Sequence, residues 1–354
     1  MMYMNPLADA DHALLERPQP QALLARLCGG ASLSADEAQL LFQALVAGQL
    51  GEAEIAALLI ALKVKGETFA ELIGAARALR TAALPFDRPD YLFADSCGTG
   101  GDSSGTINLS TAVAFVAAAA GLPIAKHGNR SVTSKCGSAD VLEQLGVGID
   151  ADPAASRRAL DEAGICFLFA PQYHPGLRHA GPVRRALKVR TVMNMLGPCV
   201  NPARPGVQLL GVADPRLLEP VARTLAGLGV GQALVVHGAG LDEVALHGET
   251  EAIRISGGVL EPLRIAPEQA GLTRAPLAAL AGGGPEENAE RLAVLLRGYG
   301  TAAETAAVAL NAGALLMTAG LAASLTEGAD LARQTLASGE PHRRLQALVA
   351  ITND

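Results

Sequence analysis

The segment DSCGTGGD, residues 95–102, decides the fold class because it lies between a short apolar run and a longer one. The run at 91–94 is typical of a buried strand, and the apolar stretch after Asn108 is typical of a helix. Glycines let a backbone approach a ligand closely, and free N–H groups beside a helix N-terminus favour anions. The turn therefore predicts a phosphate or pyrophosphate site. A tight strand-to-helix connection without a ligand is the alternative.

Short apolar runs and helical patterns alternate around and after this segment, which predicts a largely parallel sheet. Predicted strands are 91–94, 124–126, 166–169 and 233–236, and predicted helices between them are 111–120, 140–145, 153–162 and 215–228. Residues 252–265, broken by Gly257 and Gly258, instead predict a β-hairpin. From Glu287 nearly to its end the chain is predicted to be helical again.

The chain before Pro85 predicts a small helical bundle, since its apolar residues recur at helical spacing. In a capping box, a hydroxyl accepts a free backbone N–H while a glutamate three residues later reaches back to the cap. Such boxes are predicted for Ser34 with Glu37, Thr68 with Glu71, and Ser324 with Glu327.

The composition indicates a globular protein of a reducing compartment. The 354 residues are 50% hydrophobic, enough for two domains or one large α/β unit, and the net charge of −7 disfavours nucleic acid as a partner. Five dispersed cysteines without a CxxC pair fit neither a disulfide framework nor a zinc site. The first 18 residues lack a signal-peptide layout, and the longest apolar run, 111–125, is too short to span a membrane. We expect a soluble, cytoplasmic protein.

The segment KHGNR, residues 126–130, ends the next predicted strand. Its cations, imidazole and amide are costly to bury unless they face solvent or a ligand. The carboxyl ends of parallel strands meet at one edge, so this cluster and the glycine turn should face one crevice. For His127 alone, a hydrogen-bonded structural histidine is the alternative. The polar stretch 131–140 is predicted to be flexible and able to close over a phosphate.

Two further motifs carry charge. In GLDE, residues 240–243, the adjacent carboxylates of Asp242 and Glu243 can hold Mg²⁺ while a phosphorylated substrate supplies other oxygens. In PVRR, residues 182–185, Arg184 can bind a carboxylate bidentately. The alternatives are a solvated acidic pair and a surface arginine.

In their order along the chain, these motifs resemble the anthranilate phosphoribosyltransferase family. The resemblance runs from Leu33 through GTGGD, KHGNR, GSAD, PVRR, RT, LGP, NP and GLDE to LVAITN, and covers nearly the whole chain. It implies a nucleoside-phosphorylase-like α/β fold. A helical domain, residues 1–84 with an insertion at about 180–204, joins an α/β domain, 85–354, with a mostly parallel sheet and a helical C-terminal part. It also implies a homodimer that contacts through the helical domains.

The resemblance further implies transfer of phosphoribose from phosphoribosyl pyrophosphate (PRPP) to anthranilate, an early step of tryptophan biosynthesis. The products are N-(5-phosphoribosyl)anthranilate and pyrophosphate, and the cofactor is Mg²⁺. The implied PRPP contacts are Gly98, Thr99, Gly100, Gly101, Asp102, Thr106, Asn108, Ser110, Thr111, Lys126 and Ser138. The implied anthranilate contacts are Gly98, His127, Asn129 and Arg184, and the implied magnesium ligands are Ser110, Asp242 and Glu243. No residue is assigned as a general base, because an aryl amine is uncharged near neutral pH.

The chain departs from the usual family pattern at Ser103, Ile107, Cys136, Lys188 and Met193. None of these departures removes a charged or chelating group, so they bear on affinity more than on activity. Two alternatives are a pyrimidine nucleoside phosphorylase of the same fold and a non-catalytic paralogue that binds nucleic acid. The acidic charge and the retained motifs disfavour the paralogue.

Overall fold

The computed structural model describes residues 18–131 and 135–354, so the predictions for the N-terminal 17 residues and for 132–134 lie outside it. Its strands are β1 (Ala94–Gly98), β2 (Ile124–Gly128), β3 (Ile165–Phe169), β4 (Val207–Gly211), β5 (Gln232–Gly238), β6 (Thr250–Ser256) and β7 (Val259–Ile265). Its α-helices are α1 (Pro20–Cys28), α2 (Ala35–Val46), α3 (Glu52–Lys65), α4 (Phe69–Ala82), α5 (Leu109–Ala119), α6 (Ser138–Gln144), α7 (Pro153–Glu162), α8 (Ala170–Tyr173), α9 (Gly181–Leu187), α10 (Val192–Leu196), α11 (Leu218–Gly227), α12 (Pro285–Val294), α13 (Ala302–Thr318), α14 (Leu325–Ala337) and α15 (Glu340–Thr352).

The seven strands form one sheet in the order β3-β2-β1-β4-β5-β6-β7. The first five strands are parallel, and β6 and β7 form an antiparallel hairpin turned by Gly257 and Gly258, both at positive φ. The predictions of a mostly parallel sheet and of the hairpin are confirmed. Successive strands extend the sheet in one direction from β1 to β3 and in the other from β4 to β5, and ligands bind at such a switch point in α/β sheets.

The first predicted strand is wrong in position. The strand begins at Ala94, while Tyr91 and Leu92 are exposed and precede it. Its parallel partners set this start, because Ala94 pairs with both Ile124 and Val207. Strand β4 was not predicted, because Gln208 interrupts a short apolar run that follows a proline- and glycine-containing loop.

The two faces of the sheet are covered by different helices. Alternate residues of β4 point to opposite cores, as the strand period of two requires: Leu209 joins one hydrophobic cluster and Leu210 the other. The first cluster includes α5 and the C-terminal helices α13, α14 and α15, and the second includes α1–α4 and α11. The helical bundle is thus continuous with one face of the sheet.

The two N-terminal capping boxes are confirmed, and the third is only half formed. Ser34 with Glu37, and Thr68 with Glu71, exchange both hydrogen bonds. Ser324 accepts the N–H of Glu327, but the Glu327 carboxylate accepts the N–H of Ala323 and not that of Ser324.

Helices α9 and α10 pack against α3, and α10 also contacts α4. The connection between α9 and α10 runs from Lys188 to Thr191, and its Arg190 contacts the loop that follows the carboxyl end of β1. The domain limits themselves stay a prediction. Within residues 18–131 and 135–354, every helix is too short or too polar to cross a lipid bilayer.

Two departures from the family pattern occupy left-handed backbone conformations. Ser103 has φ of 59° and Lys188, which ends α9, has φ of 53°. Side chains disfavour this region and glycine does not, which explains why glycine suits both positions.

Replacing Lys188 by Gly is therefore expected to raise the free energy of unfolding by about 1 kcal/mol, the balance between the relieved strain and the entropy of a new glycine. Urea denaturation measures this change. Val189→Gly is the control, because Val189 is exposed and has no positive φ. The explanation fails if both variants are destabilised equally.

Candidate active site

A cavity of about 360 Å³ opens where the carboxyl ends of β1 and β2 meet the loop after β5 and the segment that carries α9 and α10. Every residue predicted to contact a substrate or metal lines it. These residues are Gly98, Thr99, Gly100, Gly101, Asp102, Thr106, Asn108, Ser110, Thr111, Lys126, His127, Asn129, Ser138, Arg184, Asp242 and Glu243. The sequence motifs, far apart along the chain, are therefore brought to one place.

The glycine loop is anchored at both ends by the two carboxylates of the GLDE segment. Asp242 Oδ2 accepts the N–H of Gly100 at 2.7 Å, and Glu243 Oε1 accepts the N–H of Ser110 at 3.1 Å. The Thr99 hydroxyl also accepts the N–H of Ala213, which follows β4, at 3.1 Å. The loop that begins the cavity is thus fixed to β4 and to the loop after β5.

Close backbone approach explains two glycines at this edge. A Cβ atom on Gly98 would collide with the Asp242 carboxylate, and a Cβ atom on Gly211 would collide with the Asp242 main chain. Because β1 and β4 are paired neighbours, both glycines lie beneath the same residue. Glycine at these strand ends lets the GLDE segment contact the sheet.

The environment of Asp242 and Glu243 opposes their ionisation. Burial raises the pKa of Asp242, and the nearby Asp102 carboxylate raises it further. Burial also raises the pKa of Glu243, as does Asp242, while the Lys126 ammonium opposes the shift.

Such a set of oxygens fits a hard divalent cation. No group of three or more His, Cys, Asp or Glu side chains in the described ranges forms a complete metal site. A cation here would need further oxygens from substrate or water, as Mg²⁺ in phosphate sites usually does.

Lys126 is a buried cation that joins three elements. Its side chain is 3% exposed, and Nζ donates to the Ser96 carbonyl and, at 3.2 Å, to Ser110 Oγ. Strands β1 and β2 pair only at Ala94 and Ile124, and polar side chains fill the gap beyond that pair. There Asn201 donates to the Asp95 carboxylate at 2.9 Å and to the Ala125 carbonyl at 2.8 Å. The NP motif therefore supports the splayed strands below the site.

His127 contacts a second buried histidine, His174, with the ring centroids 5.1 Å apart in an edge-to-face arrangement. Burial lowers the pKa of His127 to about 3 and that of His174 to about 4, and His174 contributes to the shift of His127. Both rings are therefore neutral at pH 7. Each Nε2 is buried and has no hydrogen-bond partner within the described part of the chain.

Arg184, on α9, is a half-buried cation in this cavity. Burial lowers the pKa of its guanidinium, and no carboxylate in the described ranges pairs with it. Arg130, by contrast, is paired with Glu143 and Asp140. A bound anion would compensate Arg184.

The remaining predicted residues have defined local contacts. Asn129 Oδ1 accepts the N–H of Arg130 at 2.7 Å, which leaves its amide nitrogen available to donate. Ser138, the first residue of α6, donates to the Asn129 carbonyl at 3.3 Å. Thr111 Oγ1 is buried without a partner among the described residues. Thr106 pairs with Ala281 in an isolated bridge.

The cavity residues absent from the predicted set include His174, Arg190 and Asn288. His174 follows β3, so its position near the carboxyl end of a third parallel strand was a usable signal. Asn288, on α12, donates to Asn108 Oδ1 at 3.0 Å across 180 residues of sequence. No local pattern indicates that contact.

Family models match the chain in two blocks. Residues 21–83 match the helical bundle domain of a glycosyl transferase family, and residues 90–342 match its a/b domain. An anthranilate phosphoribosyltransferase of Sorangium cellulosum is 59% identical over 333 residues, 94% of this chain and 96% of the relative. The chain belongs to the anthranilate phosphoribosyltransferase family.

Solved structures of family members have the same fold. The crystal structure of the Thermus thermophilus enzyme has a TM-score of 0.90 and 45% identity, covering 94% of this chain and 99% of that one. The Saccharomyces cerevisiae enzyme in complex with PRPP and Mg has a TM-score of 0.85 and 25% identity, covering 94% and 98%. The yeast enzyme is also known in complex with 4-fluoroanthranilate, with a TM-score of 0.85 and 25% identity, covering 95% and 98%. Membership makes this chain a phosphoribosyl-transferring enzyme.

Replacing Asp242 by Asn is expected to stabilise the metal-free protein. Its raised pKa means that the folded state keeps a proton that the unfolded chain releases, so stability falls as pH rises from 3.8 through the raised value. Asn does not titrate, and its Oδ1 can still accept the N–H of Gly100. Thermal unfolding in EDTA should show a higher melting temperature for the variant at pH 8, with a smaller gain at pH 5.

Asp214→Asn is the matched control for this prediction. The hydrogen bond with Arg216 lowers the pKa of Asp214, so the Asp214 carboxylate stabilises the folded state at pH 8. Asp214→Asn should therefore give no rise in melting temperature at that pH. An Asp242→Asn gain of equal size at both pH values would contradict the account.

Proposed function

We propose that this chain transfers phosphoribose from PRPP to the amine of anthranilate in tryptophan biosynthesis, and that its cavity residues divide between the two substrates. One observation carries the residue assignment: a single cavity combines a glycine loop beside two buried carboxyl groups with a half-buried guanidinium that has no carboxylate partner in the described ranges. The yeast relative's complexes with PRPP and Mg and with 4-fluoroanthranilate support this division.

The glycine loop is assigned to the pyrophosphate of PRPP. Its backbone N–H groups and the start of α5 favour anions, and buried Lys126 adds a positive charge beside Ser110. Donors placed where charge develops on the leaving group lower the barrier to its departure. The remaining predicted PRPP contacts surround this loop in the same cavity.

Ser110, Asp242 and Glu243 are the residues that would hold Mg²⁺, with pyrophosphate oxygens completing its coordination. When bound, the ion neutralises charge on the leaving pyrophosphate. The chain's own contribution is to keep the two carboxylates beside the loop, which their hydrogen bonds to Gly100 and Ser110 support.

Arg184 is assigned to the anthranilate carboxylate, which its guanidinium fork can bind bidentately. The amide of Asn129 and the neutral His127 would orient the ring and its amine, so catalysis here rests on positioning. A pKa of about 3 makes His127 a very weak base, which agrees with assigning no general base.

Two further properties rest on the family resemblance. We infer a cytoplasmic homodimer that contacts through its helical domains. The free cysteines at 28, 97, 136, 166 and 199 are consistent with a reducing compartment.

The direct test follows anthranilate fluorescence over time with purified protein, Mg²⁺ and PRPP. We expect loss of signal only when all three are present, and no phosphorolysis of thymidine with phosphate. Phosphorolysis without anthranilate consumption would overturn the proposal.

Replacing Arg184 by Ala should raise the anthranilate KM by at least about tenfold, since a charge-assisted bidentate contact is worth more than about 1.4 kcal/mol. The PRPP KM should change far less. Arg185→Ala is the matched control, because the neighbouring Arg185 is exposed and lies outside the cavity. Equal increases in both KM values would remove Arg184 from the anthranilate site.

A further inference from the structure

Arg190 contacts the glycine loop from the connection between α9 and α10. Its Nη1 donates to the Gly101 carbonyl at 2.9 Å and its Nη2 to the Gly100 carbonyl at 2.7 Å. One guanidinium thus holds two consecutive carbonyls. The fit is close, since a Cβ atom on Gly101 would lie 2.6 Å from Nη1 and 2.8 Å from Cζ.

Because the peptide bond is planar, holding these two carbonyls also fixes the directions of the N–H groups of Gly101 and Asp102. The Gly100 carbonyl shares its plane with the N–H of Gly101, and the Gly101 carbonyl shares its plane with the N–H of Asp102. The described peptides are all trans, so each N–H points opposite to its carbonyl and away from Arg190. Neither N–H has an acceptor among the described residues, and both residues line the cavity.

We propose that Arg190 is a positioning residue that presents the N–H groups of Gly101 and Asp102 to the pyrophosphate. This inference rests on the proposed assignment of the loop to PRPP. A lysine could not replace it, because a single ammonium lacks the rigid fork that spans two neighbouring carbonyls. No carboxylate in the described ranges pairs with Arg190, so the loop carbonyls are its polar partners there.

The position of Arg190 links the two substrate sites. Arg184 lies on α9 and Arg190 lies six residues later, after α9 has ended at the left-handed Lys188. The same short segment therefore supplies the proposed anthranilate contact and the support for the pyrophosphate loop.

Kinetics test the selectivity of this role. Arg190→Ala and Arg190→Lys should both lower kcat/KM for PRPP by at least about tenfold, because losing one preorganised donor costs about 10²–10³ in kcat in other enzymes. The anthranilate KM should change less than about twofold, and Arg185→Ala should leave all constants unchanged. A rise in the anthranilate KM as large as the fall in kcat/KM for PRPP, or full activity in Arg190→Lys, would overturn the proposal.

Hydrogen exchange without any substrate separates positioning from direct contact with the substrate. The N–H groups of Thr99 and Gly100 are bonded to the Gly211 carbonyl and to Asp242, so loosening the loop should accelerate their exchange. We expect faster exchange across residues 98–106 in both Arg190 variants, with an unchanged melting temperature. Unchanged exchange would overturn the positioning role even if activity fell.

Calorimetry with inorganic pyrophosphate and Mg²⁺ keeps this test independent of the transfer reaction. If the wild-type protein failed to consume anthranilate, the proposed function would be wrong. Pyrophosphate binding and loop exchange would still test the Arg190 inference. Weaker pyrophosphate binding in both Arg190 variants, together with faster loop exchange, would support it. Pyrophosphate affinity equal to that of the wild type would contradict it.

Discussion

Adjacent carboxylates hold both ends of the loop between β1 and α5, and the site depends on this constraint. Asp242 accepts the N–H of Gly100, and Glu243 accepts the N–H of Ser110. Burial raises the pKa values of both carboxyl groups; Asp102 raises that of Asp242 further, and Asp242 and Asp102 raise that of Glu243 further. Full ionisation of this buried pair is therefore unfavourable in the free protein, beside a loop that we propose binds an anion. A cation shared with pyrophosphate would favour the ionised pair, so in the proposed assignment the residues that shape the loop would also make its ligand binding depend on a metal.

The rest of the fold serves this arrangement from two sides. The parallel sheet brings the glycine loop, Lys126 and the GLDE segment to one edge, and glycines at the ends of β1 and β4 allow close approach. The segment carrying α9 and α10 packs on the helical bundle and brings Arg184 and Arg190 to the same cavity. The groups that we propose bind PRPP thus come mainly from the sheet, and the guanidinium that we propose binds anthranilate comes from the segment on the helical bundle.

Features encoded locally could be predicted from the sequence, and features set by packing could not. Glycine-rich turns after apolar runs located the loop and the hairpin, because their signals lie within a few residues. Contacts such as Asn288 with Asn108, or Arg190 with Gly100, join distant segments and have no local pattern. The departure from the family pattern at Lys188 was visible in the sequence. Only the structure shows that the backbone there is left-handed, with φ of 53°, a conformation that a lysine side chain disfavours. Strand β4 was missed because a central polar residue, Gln208, is buried there by its bond to the Pro198 carbonyl.

Carbon-13 NMR titration of the side-chain carboxyls in the free protein tests the central claim most directly, with Asp242→Asn and Glu243→Gln used to assign the two signals. The account predicts that Asp242 and Glu243 titrate well above their ordinary pKa values of 3.8 and 4.5 in metal-free protein. It also predicts that adding Mg²⁺ with PRPP lowers both pKa values. Titration of both carboxyls at ordinary values, unchanged by Mg²⁺ and PRPP, would contradict the claim that unfavourable ionisation of this buried pair makes the site depend on a cation.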